Sequence, residues 1–177
     1  MRKVILYIAM SLDGYIADPN GGVAWLCGQD QDCEKDDSYA AFTKEIDTVL
    51  MGRNTYRQIV TELSPTEWIY GDFTTYVFTH QSDTSTPLIQ FTNEEPISLI
   101  RQFKQQEGKD IWLCGGSDLI HQFMCADLID RYDISIIPTL LGSGIRLFEA
   151  FPKEQKLSLI EMQKNNGIVE LIYERRS

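Results

Sequence analysis

Residues Ile111–Phe123 read IWLCGGSDLIHQF. Four apolar residues run straight into two glycines. Ser117-Asp118 then opens a helical pattern that places Leu119, Ile120, Phe123 and Met124 on one face. The spacing predicts a buried strand, a tight turn and a helix start. Glycine lets backbone approach a ligand closely because it lacks a Cβ. The first N–H groups of a helix favour an anion. A phosphate-bearing ligand and a plain strand-to-helix turn both fit this stretch taken alone.

Working outward, Val4–Met10 reads as a strand, and Ser11–Gly22 as a loop punctuated by Asp13-Gly14 and Asp18-Pro19-Asn20-Gly21-Gly22. Gln29–Asp37 is polar and mostly acidic, a solvated loop. Ser38–Ile46 has helical spacing through Tyr39, Phe42 and Ile46. Thr48–Met51 is a second strand closed by Gly52, and Asn54–Leu63 reads as a helix. Thr75–Thr79 and Leu88–Phe91 are further strands. Pro96 suits a helix start, and Ile97–Gln106 continues that helix. Asp133–Ile137 alternates. Leu157–Met162 and Ile168–Tyr173 flank Lys164-Asn165-Asn166-Gly167, a hairpin signal. The alternation of strand and helix predicts an α/β fold: a mostly parallel central sheet flanked by helices, with an antiparallel hairpin at the C-terminal end.

The chain has 177 residues, which suits one domain over 1–177. Its formal net charge is −10. That argues against a general nucleic-acid or anionic-membrane binder, so a phosphate must be held locally by backbone N–H groups and a few placed cations. Four cysteines, Cys27, Cys33, Cys114 and Cys125, and two histidines, His80 and His121, fit no zinc spacing, so no metal site is expected. Cys114 and Cys125 read as ordinary buried thiols. No signal peptide or bilayer-length apolar run stands out, so a reduced, cytoplasmic protein is expected.

Three strand ends are candidate ligand loops: Met51-Gly52-Arg53-Asn54-Thr55, Phe78-Thr79-His80-Gln81 and Cys114-Gly115-Gly116-Ser117. In open α/β sheets ligands bind outside the carboxyl ends of the strands. Parallel strands would bring all three loops to that side.

On these residues the chain resembles the dihydrofolate reductase superfamily. Val49–Tyr56 is similar to that family's strand-to-helix motif, Tyr76–Gln81 to its next strand and following polar residues, and Ile111–Phe123 to its Gly-Gly strand and helix. Ile8-Ala9 with Leu12–Ala17 is similar to its first strand and mobile loop. Ser11–Ala17 and Pro138–Gly142 look more like the reductase domain of the bacterial riboflavin deaminase-reductase. No deaminase domain is expected within these 177 residues. Tyr15 stands where the riboflavin reductases usually carry lysine, and Arg57–Val60 replaces their acidic segment.

The resemblance implies a dihydrofolate-reductase-like fold and NADPH as cofactor. Ala9 and Ile16 would flank the nicotinamide. Gly52, Arg53, Asn54 and Thr55 would hold the pyrophosphate and the adenosine phosphate. Thr79, His80 and Gln81 would meet the adenosine ribose and its 2′-phosphate. Gly115, Gly116, Ser117, Asp118, Leu119 and Ile120 would cradle the pyrophosphate, with a cis peptide at Gly115-Gly116. Asp36 and Asp37 stand near the family's proton-donating carboxylate, and Asp37 is equally a helix cap. Ser11, Asp13, Tyr39 and Phe42 are substrate candidates. The implied activity is NADPH-dependent reduction of a small heterocycle, the nearest named one being 5-amino-6-(5-phosphoribosylamino)uracil reduction. Dihydrofolate reduction is the alternative, and a non-catalytic nucleotide-binding sensor is a second. The resemblance also implies a homodimer.

Overall fold

The computed structural model describes residues 1–30 and 38–176. Its strands are β1 Val4–Ser11, β2 Tyr15–Ala17, β3 Ile46–Gly52, β4 Thr74–Phe78, β5 Ile89–Thr92, β6 Asp110–Gly115, β7 Arg131–Ile137, β8 Ile145–Arg146, β9 Leu157–Asn165 and β10 Ile168–Arg175. The helices are α1 Ser38–Phe42, α2 Arg53–Gln58, α3 Pro96–Gln105 and α4 Ser117–Cys125. An eight-stranded sheet runs in the order β5-β4-β3-β6-β1-β7-β10-β9. Pairings from β5 to β7 are parallel, and β10 is antiparallel to both β7 and β9. A small antiparallel pair, β2 with β8, stands apart. This is the dihydrofolate-reductase-like arrangement, with the hairpin at one edge.

The central strands are covered on both faces, which is why they are nearly continuous apolar runs. Neighbouring residues on one strand feed opposite layers. Leu6, Leu50 and Leu113 join the layer under α3 and α4, with Ile100, Ile120 and Phe123. Ile5, Val49 and Trp112 join the opposite layer, with Phe42, Ile59 and Tyr70. The start of α3 is fixed chemically: Glu95 accepts hydrogen bonds from the N–H groups of Ile97 and Ser98, and Pro96 fills the first position.

Some boundaries differ from the sequence expectation. The helix expected over Ser38–Ile46 stops at Phe42, and Ile46 already belongs to β3. The helix expected over Asn54–Leu63 is α-helical only to Gln58, and Ile59–Leu63 forms a wider π turn. Cys125 is exposed, not buried, because the apolar face of α4 is Leu119, Ile120, Phe123 and Met124. Among the described residues no helix is long and apolar enough to cross a membrane.

Candidate active site

The carboxyl ends of β1, β3, β4, β5 and β6 open into one cavity of about 1310 Å³. Ala9, Gly52, Thr79, Thr92 and Gly115 mark those five ends on its wall. Four parallel pairings across β5-β4-β3-β6-β1 put the three expected loops on the same side.

The turn between β6 and α4 forms the floor. Gly115 has φ +135°, a conformation that L side chains rarely adopt, and the Gly115–Gly116 peptide is cis. A Cβ on Gly116 would stand 3.4 Å from Thr55 Oγ1, and one on Gly52 would stand 3.8 Å from the Gly116 nitrogen. The β3 and β6 turns therefore touch each other through glycine and one threonine. Helix α4 starts at Gly116 with no side-chain cap, in contrast to α3. Gly116, Ser117, Asp118 and Leu119 face the cavity, so the positive end of α4 opens into it. Ile120 does not: it is fully buried and its Cδ1 lies 3.9 Å from the Cβ position of Gly115. It supports the turn from below, as the helical period dictates for a residue on the apolar face.

Arg53, Asn54 and Thr55 line the cavity from the start of α2. Arg53 Nη1 is ion-paired with Asp83, and Arg53 Nε is buried without a partner. Thr79 is buried, and its Oγ1 accepts from the Gln81 N–H at 3.0 Å. His80 and Gln81 line the same end of the cavity. The charged side chains on the wall are mixed: Arg53 and Arg57 against Glu62, Glu94, Glu95 and Asp118. An anion here meets no strong net positive field. It would depend on backbone N–H groups and on single cations, as the acidic composition requires.

Across the cavity, Ile8, Ala9, Ile16, Val23 and Leu26 make an apolar wall. Gln58 Nε2 donates to the Gly21 carbonyl at 2.7 Å and ties the loop after β2 to α2. Residues that no local signal marked also stand here. Tyr70 lines the cavity, and its hydroxyl lies 3.9 Å from Cys114 Sγ. Burial pushes the Tyr70 hydroxyl well above the ordinary tyrosine range and the Cys114 thiol up to about 11, so both stay protonated at neutral pH. Cys114 was legible as the last strand residue before two glycines. Tyr70 lies in an irregular segment with no such mark.

The four substrate candidates sit elsewhere. Ser11 is fully buried; its hydroxyl donates to Asp13 Oδ1 at 2.6 Å and accepts from the Tyr15 N–H at 3.0 Å. Asp13 accepts from the N–H groups of Leu141 at 3.1 Å and Gly142 at 2.7 Å. These contacts lower the Asp13 carboxyl to about 2, the Ser11 hydroxyl contributing most. Both side chains therefore tie the β1–β2 loop to the loop after β7 and are absent from the cavity wall. Phe42 is buried and stacked on Tyr7, ring centroids 4.2 Å apart, with Trp112 edge-on at 5.4 Å. Tyr39 packs on the same cluster, 6.1 Å from Trp112. At Phe42 the helical spacing thus marks core packing, while Tyr39 stays exposed at the edge of the cluster. Asp36 and Asp37 lie outside the described residues. No group of three His, Cys, Asp or Glu side chains among the described residues could hold a metal.

A family model, the RibD C-terminal domain, matches residues 2–169. The chain is 40% identical to the uncharacterized protein YwjB of Bacillus subtilis (strain 168), over 98% of each chain. It is 32% identical to the uncharacterized protein YyaP of the same organism, over 97% of this chain and 94% of that protein. Among solved structures it is similar to a putative riboflavin biosynthesis protein from Shewanella sp. PV-4, with TM-score 0.84, 27% identity and 99% of each chain covered. It also matches the diaminohydroxyphosphoribosylaminopyrimidine deaminase/5-amino-6-(5-phosphoribosylamino)uracil reductase of Thermotoga maritima, with TM-score 0.70, 16% identity and 99% of this chain covered. Acinetobacter baumannii RibD gives TM-score 0.71 at 15% identity, again over 99% of this chain. The chain spans 57% and 58% of those two larger proteins, and at such identity the likeness concerns the fold.

Proposed function

The chain belongs to the RibD C-terminal domain family, and on that premise we propose that it is an NADPH-dependent oxidoreductase acting on a small heterocycle. The nearest named activity is reduction of 5-amino-6-(5-phosphoribosylamino)uracil. One observation carries the reading: the cavity across the carboxyl ends of the parallel strands, floored by Gly52, Gly115 and Gly116 and by the uncapped start of α4.

The residues present suit a dinucleotide. Glycines leave room for a pyrophosphate against the backbone, and the open end of α4 favours its charge. Arg53, with its buried and unpartnered Nε, Thr79, His80 and Gln81 would hold the adenosine phosphate and ribose. Ala9, Ile16, Val23 and Leu26 offer an apolar wall that keeps water from the reacting end. NADPH, when bound, supplies the hydride. The protein's part is to bind and orient both reactants and to exclude water.

Isothermal titration with NADPH and NADH tests the cofactor. Micromolar NADPH binding is expected, and Arg53→Ala should weaken NADPH by at least about tenfold and NADH far less. Affinity no better than millimolar would sink the assignment. Loss of NADPH absorbance against the phosphoribosylaminouracil, dihydrofolate and a set of pteridines tests turnover. Tight NADPH binding with none of them reduced points to a nucleotide sensor.

A further inference from the structure

Arg53 does not stand free on the cavity wall. Its guanidinium is ion-paired through Nη1 with Asp83, the side chains being 24% and 29% exposed. Asp83 lies in the stretch 81–88, exposed throughout, that follows Thr79 and His80. Arg53 on the cavity wall is thus held by a carboxylate that is not itself among the wall residues.

These two groups select opposite ligands. A guanidinium favours a ribose 2′-phosphate. A carboxylate accepts hydrogen bonds from the 2′-hydroxyl of an unphosphorylated ribose and repels the phosphate. A nucleotide with a 2′-phosphate must draw Arg53 away from Asp83, or leave two negative groups competing for one cation. A nucleotide with a free 2′-hydroxyl can leave the pair intact.

Arg53 is also incompletely satisfied as it stands. Its Nε is buried with no hydrogen-bond acceptor, an arrangement that costs free energy until an acceptor arrives. Asp83 can be displaced without disturbing the core, since its stretch is solvent-exposed. Both features describe a pair able to open for a phosphate but closed in its absence.

We infer that Asp83 is a specificity-determining residue: by holding Arg53 it narrows the preference for NADPH over NADH, so that the site takes both dinucleotides. The inference rests on the dinucleotide reading above. It concerns which dinucleotide binds, through a residue that the cradle itself does not use.

The test is the ratio of dissociation constants for NADPH and NADH, measured by isothermal titration on the wild type, Asp83→Asn and Asp83→Ser. Thermal unfolding checks that each variant is folded. Both substitutions should tighten NADPH by about three- to tenfold and leave NADH unchanged or slightly weaker. A ratio that is unchanged, or that moves toward NADH, overturns the inference and leaves the cofactor reading standing. A wild type and variants that bind neither dinucleotide below millimolar overturn the cofactor reading and the inference with it.

Discussion

The two sides of the cavity are made of different material. On the cradle side the wall is backbone: glycines at the ends of β3 and β6 and the open start of α4. On the other side the wall is side chain, drawn from segments far apart in sequence, among them Ile16, Leu26 and Tyr70. The aromatic cluster of Tyr7, Phe42 and Trp112 lies behind that side, within the core. A backbone cradle depends on conformation at single residues. A side-chain wall depends on the packing that holds it in place. Stability and dinucleotide binding should therefore separate under mutation.

The largest test of that separation is Phe42→Ala. Phe42 is 3% exposed, stacked on Tyr7 and edge-on to Trp112. Emptying its site should cost about 3–5 kcal/mol. In a chain of this size that is a fall of roughly 6–20 °C in midpoint, readable by calorimetry. NADPH affinity should stay within about twofold at a temperature where the variant is folded, because Phe42 is not on the cavity wall. A large loss of affinity in the folded variant would place the cluster within the site and erase the distinction.

Gly115→Ala is the converse. A Cβ there has room, its nearest neighbours standing at 3.9 Å and 4.0 Å. The φ of +135° is what an alanine resists. Stability should fall by only about 1–3 kcal/mol, while relief of the strain reshapes the turn and costs NADPH at least about tenfold. Unaltered NADPH affinity by titration would show that the turn's conformation does not matter to the ligand.

Asp13 joins the β1–β2 loop to the loop after β7, away from the cavity wall, and its effect is read in pH. Its carboxyl is lowered to about 2, first by the Ser11 hydroxyl and then by the N–H groups of Gly142 and Leu141. A depressed folded-state value means that the charged form stabilises the fold. That contribution is complete above the unfolded value near pH 4 and is lost as pH falls toward 2. Unfolding midpoints recorded between roughly pH 5 and pH 2 should therefore slope more steeply for the wild type than for Asp13→Asn. Parallel slopes would remove Asp13 as the tie between the loops.

The same division explains what the sequence disclosed. Central strands and the β6–α4 turn are local features: an apolar run, two glycines, a 3.6-residue period. They were legible at Ile111–Phe123, Val49–Thr55 and Tyr76–Gln81, and so was the sheet with its edge hairpin. The pairing of β2 with β8 was not, because strands of three and two residues carry no period. Phe42 and Ile46 are four apart, which looks helical, yet the helix ends at Phe42 and Ile46 opens a strand. Ser11 and Asp13 looked like polar contacts at the mouth of a site. Only the fold shows that the loop after β7 uses them up. Ile120 continued a motif that otherwise faces the cavity, and the helical period turned it inward.

Tyr70 supplies the finest test, since it is the wall residue that sequence marked least. Its hydroxyl sits 3.9 Å from Cys114 Sγ, and Cys114 immediately precedes the Gly115–Gly116 turn. Tyr70→Phe removes one oxygen and keeps the ring that packs against Trp68 and Trp112, at 5.3 Å and 5.0 Å. The loss of a single partnered hydroxyl should change stability by no more than about 1.5 kcal/mol. If the cradle alone holds the dinucleotide, NADPH affinity should not move. A heterocycle lying against this wall would lose one hydrogen-bond partner, and its KM should rise by up to about tenfold in steady-state assays. The opposite pattern, weaker NADPH with the acceptor's KM unchanged, would assign Tyr70 to the cradle half and redraw the line between the two sides at Cys114.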